Sequence, residues 1–282
     1  MPVAGEAIVR RILRYAHSQG VRRVVLNLHH LPETITALVG DGSDLGIGVQ
    51  YSFESPVLGS AGGPRKALSL LPDEDFFIIN GDTLTNVDFA ALEAQHRETA
   101  ALATIAVVPN QWPDRYSGLI LDSTGRFHSV APRGSHVRSY HVVGVQIAHP
   151  SAFARLPINE PAESISGVYR TLVAENLGAV RAFLCASDFV DVGTPEDYLE
   201  ASASVGLREG RPFPHVGEHC HIDPTARLSD SILWDRVHVG AGAVLSRCIV
   251  ADGVEIPAGA MFENCVIIQK QGTLQVSDLT HV

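Results

Sequence analysis

Apolar and polar positions along the chain fall into three successive regimes. In residues 5–19, Ile8, Ile12, Leu13, Tyr15 and Ala16 sit near one face at helical spacing, and Gly20 is a natural stop. The run 22–28 (RRVVLNL) reads as a buried strand, 31–39 as a short helix and 48–53 as a strand. Helical spacing returns at 63–71 and 88–98, and apolar strands at 75–80 and 102–108. This β-α-β-α rhythm predicts an α/β fold with a doubly wound, mostly parallel, Rossmann-like sheet. Sheets of that kind bind ligands at the carboxyl ends of their strands.

The second regime, 115–147, breaks into short strands (117–121, 126–130, 140–147) separated by Gly and Pro, which suggests an antiparallel excursion. Helices follow at 163–175 and 195–209, and 211–214 (RPFP) reads as a linker. From His221 an aliphatic residue recurs about every six positions, with small residues between and single-residue slips. That is the hexapeptide pattern of a left-handed parallel β-helix, and residues 222–268 suffice for roughly two to three coils. The expected domains are therefore 1–210 and a linker with β-helix tail over 211–282.

Composition narrows the function. With 45% hydrophobic residues, the chain is globular rather than disordered. The formal net charge of −10 argues against a general nucleic-acid partner. No apolar run is long enough for a membrane span, and the N-terminus has no basic-then-apolar leader pattern, so a cytoplasmic setting is expected. Cys185, Cys220, Cys248 and Cys265 form no CxxC pair, so the sequence signals neither a zinc site nor a disulfide framework. His215, His219 and His221 with Cys220 fit no standard ligand spacing and read as a solvated linker. Arg10, Arg11 and Arg14 read as the solvated face of the first helix.

Three constellations carry candidate chemistry. Glu54 is followed by Gly59, Ser60, Ala61, Gly62 and Gly63 between a strand and a helix, where small residues with open N–H groups approach a planar or anionic ligand closely; a tight turn explains the same spacing. Asn80-Gly81-Asp82 ends an apolar strand, where an open sheet binds its ligand; an Asx-turn is the alternative. Asp191 interrupts an apolar stretch just before Thr194, which reads as a helix N-cap followed by Pro195. Two carboxylates from separate strand ends, Asp82 and Asp191, suit Mg²⁺, which takes oxygen ligands and uses few protein carboxylates beside substrate phosphates.

Taken together, these motifs resemble the sugar-phosphate nucleotidyltransferases, in particular the mannose-1-phosphate guanylyltransferase-like branch with a hexapeptide tail. The matching elements are Pro2 to Gly5, Gly20 to Asn27 with Glu33, Glu54 with Leu58 to Gly62, Asn80-Gly81-Asp82, Gly144-Val145-Gln146, and Asp191 to Tyr198, in family order. The resemblance implies an Mg²⁺-dependent enzyme that makes an NDP-sugar and pyrophosphate from a nucleoside triphosphate and a sugar 1-phosphate. It implies Asp82 and Asp191 as catalytic metal carboxylates. Glu54, Gly59, Ser60, Ala61 and Gly62 correspond to the nucleotide loop, and Gly144 and Glu163 to sugar contacts.

The chain departs from the family at two places. It starts at the Pro-Val-Ala-Gly element, without a preceding GxGTRLxP phosphate loop. The EKP-type lysine is also absent, with Arg133 nearby as a substitute charge. Of 21 basic residues only Lys66 and Lys270 are lysines, and neither stands at a family position. A non-catalytic regulatory or binding subunit of the same fold is the alternative reading. A hexapeptide acyltransferase is disfavoured by the short tail. Without a first strand, two strand edges are expected to be exposed. The tail is expected to support homo-oligomers.

Overall fold

The computed structural model describes residues 1–279. The first part of the chain runs β1 (Pro2–Val3), β2 (Glu6–Ala7), α1 (Ile8–Ser18), β3 (Arg23–Leu28), α2 (Pro32–Val39), β4 (Gly48–Phe53), α3 (Gly59–Ala67), β5 (Phe76–Ile79), β6 (Thr83–Thr85) and α4 (Phe89–Thr99). It continues through β7 (Ala103–Pro109), β8 (Gly118–Leu121), β9 (Phe127–Ala131), β10 (Tyr140–Ala148), α5 (Tyr169–Glu175), β11 (Val180–Leu184), β12 (Phe189–Asp191) and α6 (Pro195–Arg208). Two compact units result. One is Ile12–Phe189; the other joins Met1–Arg11 to the chain from Val190 onward. Compactness thus divides the chain elsewhere than the sequence pattern, which puts the boundary at residue 210.

The Ile12–Phe189 unit is α/β. β3 and β4 pair in parallel, as do β7 and β11. β10 runs antiparallel to both β5 and β7, so β5 and β7 share one direction and β10 is a reversed insert between them. The antiparallel excursion is β8 and β9, attached through β10. Among the described residues β3 pairs only with β4, and β5 only with β10. The side chains of β5 are half-buried, Phe76 and Ile78 against one core layer and Phe77 and Ile79 against the other. One core layer packs Phe127, Phe153 and Tyr169 against Ile105 and Val107. The other stacks Phe77 on Phe89, with Tyr15 edge-on to Phe89.

Helix α3 begins at Gly59, four residues before the expected start. The Ala162 carbonyl accepts the N–H groups of Ala61 (2.8 Å) and Gly62 (3.2 Å), which lets an otherwise poor, glycine-rich start hold helical shape. Other helix starts follow their local signals: Asp88 accepts from Ala91 N (3.0 Å) and Thr194 from Asp197 N (3.1 Å).

In the other unit, the tail is built from β13 (His215–Val216), β14 (His221–Ile222), β15 (Arg227–Ser229), β16 (Ile232–Leu233), β17 (His238–Val239), β18 (Val244–Val250), β19 (Glu255–Ile256) and β20 (Met261–Lys270). Successive coils pair in parallel at an offset of 17 residues: His215 with Ile232, His221 with His238, Arg227 with Val244, Cys248 with Cys265. Inward positions 222, 228, 233, 239, 245, 250, 256, 262 and 267 are spaced six, six and five, so the single-residue slip recurs once per coil. β21 (Thr273–Asp278) closes the last coil antiparallel to β20. The corners are left-handed residues at the same period: His219, Arg236 and Gly253 in one column, Asp230, Arg247 and Asn264 in another.

The N-terminal hairpin β1–β2 belongs to this unit because its polar groups are satisfied there. The Tyr198 hydroxyl donates to the Pro2 carbonyl, and Trp234 Nε1 donates to the Tyr198 oxygen at 3.1 Å. Arg11 is not a solvated residue. Its Nε donates to Val3 O (2.8 Å), and its guanidinium pairs with Glu209 at 2.5 Å.

Candidate active site

A cleft of about 740 Å³ opens in the α/β unit at the carboxyl ends of β3, β4 and β5. Asn27 is the penultimate residue of β3, Glu54 follows β4, Ile78 and Ile79 end β5, and Asn80 follows it. Those are the strand ends at which the sheet pattern predicts a ligand.

Glu54 organises the near wall. Its two carboxylate oxygens accept from Asn27 Nδ2 and from the Leu58 N–H, each at 2.8 Å, and its carbonyl lies 2.9 Å from His29 Nδ1. The carboxylate therefore spans the turn from β4 into α3. Gly63 is required beside it, since a Cβ there would lie 2.7 Å from Glu54 Oε1.

Ser60 joins this wall to the segment 160–164. Its hydroxyl donates to Glu163 Oε2 at 2.7 Å and accepts from the Ser164 N–H at 2.8 Å. Gly59 has φ +73°, and a Cβ would meet Glu163 Oε1 at 2.7 Å and Ala162 O at 2.8 Å. Residues 58–63 are thus small because another strip of backbone lies against them. Glu54, Gly59, Ser60 and Glu163 come together in the cleft. Ala61 and Gly62 are buried behind it, and the open N–H groups expected there are occupied by Ala162 O.

Gly144 acts at one remove. It has φ +76° within an irregularity of β10 between Val142 and Gln146. Its carbonyl accepts the Asn80 N–H at 2.8 Å, and a Cβ would lie 2.8 Å from Thr83 Cβ. The glycine therefore lets β10 press on the turn that carries Gly81 and Asp82. Asp82 is exposed on that turn, and Thr83 Oγ1 donates to its Oδ1 at 3.3 Å. Asp191 ends β12 and belongs to the other unit.

Apart from Gln146, part of the Gly144-Val145-Gln146 motif, sequence reasoning missed the far wall. Gln146 lines the cleft and accepts the Tyr169 hydroxyl at 2.6 Å. His128 and Ser129 on β9, Ser166, and Arg170 on α5 complete it. Nothing in the sequence distinguishes Arg170 from other helix-surface arginines. Arg133, the expected substitute charge, does not line the cleft: its Nε donates to Asp114 O at 2.7 Å. Among the described residues no three His, Cys, Asp or Glu side chains cluster as a metal site.

Comparison with known proteins gives matches over both parts of the chain. The family model described as "Nucleotidyl transferase" matches residues 1–206, and that described as "GlmU-like, C-terminal hexapeptide" matches 215–264. The mannose-1-phosphate guanylyltransferase of Mycobacterium tuberculosis is 26% identical over 78% of this chain and 61% of its own length. The UTP–glucose-1-phosphate uridylyltransferase of Synechocystis is 25% identical over 84% of this chain and 65% of its own. The chain thus spans under two thirds of those relatives. The D-glycero-alpha-D-manno-heptose 1-phosphate guanylyltransferase of Aneurinibacillus thermoaerophilus is 29% identical, over 71% of this chain and 85% of its own. Among solved structures, HddC from Yersinia pseudotuberculosis, complexed with GMP-PN, has the same fold, with a TM-score of 0.63 at 22% identity over 73% of this chain and 88% of that one.

Proposed function

The chain belongs to the nucleotidyl transferase family, and on that premise we propose that it joins a sugar 1-phosphate to a nucleoside triphosphate, yielding an NDP-sugar and pyrophosphate. The observation that carries this reading is the cleft at the carboxyl ends of β3, β4 and β5, with Glu54, Ser60 and Glu163 in its walls and Asp82 on the turn after β5. In this reaction a phosphate oxygen of the sugar 1-phosphate forms a bond to the α-phosphorus. The bond from that phosphorus to the bridging oxygen breaks, and pyrophosphate leaves with the electron pair. The attacking oxygen is already anionic, so the protein's work is alignment and charge neutralisation.

The residues divide that work. Glu54 holds the β4–α3 turn that faces the nucleotide, with Gly59 and Ser60 at its surface and Ala61 and Gly62 packed behind. Glu163, one oxygen engaged by Ser60, offers its remaining lone pairs to sugar hydroxyls. Gly144 fixes the turn that presents Asp82.

The exposed Asp82 carboxylate is a hard oxygen donor, which fits Mg²⁺. Asp82 would be a ligand to the ion, with substrate phosphates and water completing its shell, and Asp191 is the second carboxylate that the sequence resemblance offers. When bound, Mg²⁺ neutralises charge on the phosphates. The reading extends to a cytoplasmic setting, supported by four free thiols. It also extends to self-association through the coil tail, which a solution mass by light scattering checks. Among the described residues no helix is long and apolar enough to cross a membrane.

The test is pyrophosphate release with Mg²⁺ and a panel of nucleoside triphosphates and sugar 1-phosphates. The relatives' names include both guanylyl and uridylyl transfer, so GTP and UTP lead the panel. Turnover is expected with one pair, falling by about 100-fold or more in Asp82→Ala. Absence of turnover with every pair, or an Asp82→Ala variant as fast as wild type, overturns the reading.

A further inference from the structure

The hairpin of β8 and β9 reaches the outer edge of β11. Its turn is built by Asp122, whose Oδ1 accepts from Thr124 N (2.8 Å), Thr124 Oγ1 (2.8 Å) and Arg126 N (3.0 Å). Gly125, at φ +78°, carries the turn onto β11, where its carbonyl accepts the Ala182 N–H at 2.9 Å. Arg126 thereby faces Arg181 in an antiparallel bridge. The Ala182–Gly125 bond flanks that pair rather than joining it. The pair is therefore of the non-hydrogen-bonded kind, the closer antiparallel arrangement, with Cα atoms about 4.5 Å apart and side chains on one face. Phe127, Val180 and Ala182 pack into the core layer around Tyr169, so strand alternation turns Arg126 and Arg181 to the other face.

Two like charges held directly opposite each other repel, and the protein does not neutralise them. Among the described residues neither arginine makes an ion pair, and the one side-chain hydrogen bond of the two is Arg181 Nη1 to Thr124 O at 3.2 Å. The Nε of each is buried and has no acceptor among the described residues. Asp122 is the acid of the same turn, and its pKa is held below the usual carboxylate value. The Arg126 backbone N–H is the largest cause and the Arg126 charge the smallest, so this carboxylate serves the turn more than the guanidinium.

The donors define the acceptor that suits them. A guanidinium presents its N–H groups as a planar fork. A phosphate group has about three oxygens to offer and carries about two negative charges near pH 7, so it can take a fork from each arginine and balance both. A carboxylate matches a single fork and a single charge. Neither arginine lines the cleft.

We propose that Arg126 and Arg181 together bind a phosphate group, on inorganic phosphate or on a small phosphate ester, at a site separate from the cleft. The proposal does not rest on the nucleotidyltransferase reading, since the pair is built by the hairpin turn and β11 alone.

The test follows the arginine Nε–H resonances of the full chain by NMR during titrations at constant ionic strength, with Arg126→Lys and Arg181→Lys assigning the two signals. The probes are inorganic phosphate, glycerol 3-phosphate, acetate and chloride. Both signals are expected to move saturably with phosphate at one shared midpoint, and acetate to require about tenfold more or beyond. Arg126→Gln is expected to raise the midpoint read at Arg181 by about tenfold or more, and Arg181→Gln the midpoint read at Arg126. A lower midpoint for glycerol 3-phosphate than for inorganic phosphate assigns the site to a phosphate ester; equal midpoints or the reverse order assign it to the free ion. Unmoved signals, separate midpoints or the same response to chloride overturn the proposal. Acetate binding as tightly as phosphate also overturns it and points to a carboxylate partner. Melting curves report whether the glutamine variants remain folded; if one does not, the other decides, and if neither does, the shared midpoint in wild type decides. The two signals lie outside the cleft, so failure here leaves the transferase reading intact, and absence of turnover in that assay leaves this site intact.

Discussion

Burial decides the ionisation of His96. The ring is 2% exposed, with the Thr104 hydroxyl 2.8 Å from Nδ1 and the Asp75 carboxylate 3.5 Å from Nε2. Desolvation lowers its pKa below the usual histidine value, and it outweighs the raising effect of Asp75; His149 and Arg97 nearby act in the same direction as burial. The folded state therefore binds a proton less readily than the unfolded chain. Its contribution to stability is present above the ordinary histidine pKa of about 6.5 and is lost as pH falls below it. The thermal midpoint is accordingly expected to drop between about pH 6.5 and 5, and His96→Gln to flatten that drop. An unchanged slope in the variant would show that His96 is not its source. The interior cysteines behave alike: Cys248 and Cys265 face each other in the coil column with sulfurs 3.7 Å apart, and burial pushes the Cys265 thiol up to about 12.

At the scale of elements, the tail is held by repetition. Each coil stacks on the last with a 17-residue offset, and polar groups at the corners bond at that same offset. Asp252 Oδ1 accepts from Asp235 N at 2.9 Å, Asp235 Oδ1 from Glu218 N at 2.8 Å, and Asn264 Oδ1 from Arg247 Nε at 2.9 Å. Inside, Leu245 is fully buried between coils, beside Val239, Val250 and Phe262. Such a narrow core has little room to collapse around a void, so Leu245→Ala is expected to cost about 2–5 kcal/mol. Urea unfolding followed by Trp234 fluorescence measures it; a loss under about 1 kcal/mol would mean that the coil relaxes freely.

At the scale of the molecule, the chain's beginning is part of the unit that holds its tail. Tyr198, 2% exposed, carries the connection: it donates to Pro2 O and accepts from Trp234 Nε1. Burial pushes its phenol pKa well up, against the lowering effect of the hydrogen bond from Trp234. Tyr198→Phe leaves Pro2 O and Trp234 Nε1, both partly buried, without this partner and is expected to destabilise this unit by about 1–3 kcal/mol. A melting point equal to wild type would mean that water replaces the hydroxyl. Tyr198 also lies in the Asp191 to Tyr198 motif, so part of that motif is accounted for by packing rather than by chemistry.

What the sequence determined by itself is whatever repeats or terminates locally. The alternation of strand and helix, the caps at Asp88 and Thr194, and the coil with its recurring slip follow from side-chain period and turn chemistry within a few residues. Asp82 was legible for the same reason, as a carboxylate just past the end of an apolar strand. The tertiary structure decided what depends on residues far apart in the chain. Residues 59–63 are small because 160–164 lie against them, and no local signal carries that contact. Gly144 is a glycine because of Thr83, and Glu54 spends its carboxylate on Asn27 and Leu58. Arg170 and Arg133 are alike in sequence; only the packing of Tyr169 onto Gln146 turns the first into the cleft while Asp114 holds the second away from it. Period and capping are set by neighbours along the chain, whereas a binding cleft is set by which distant surfaces exclude water together.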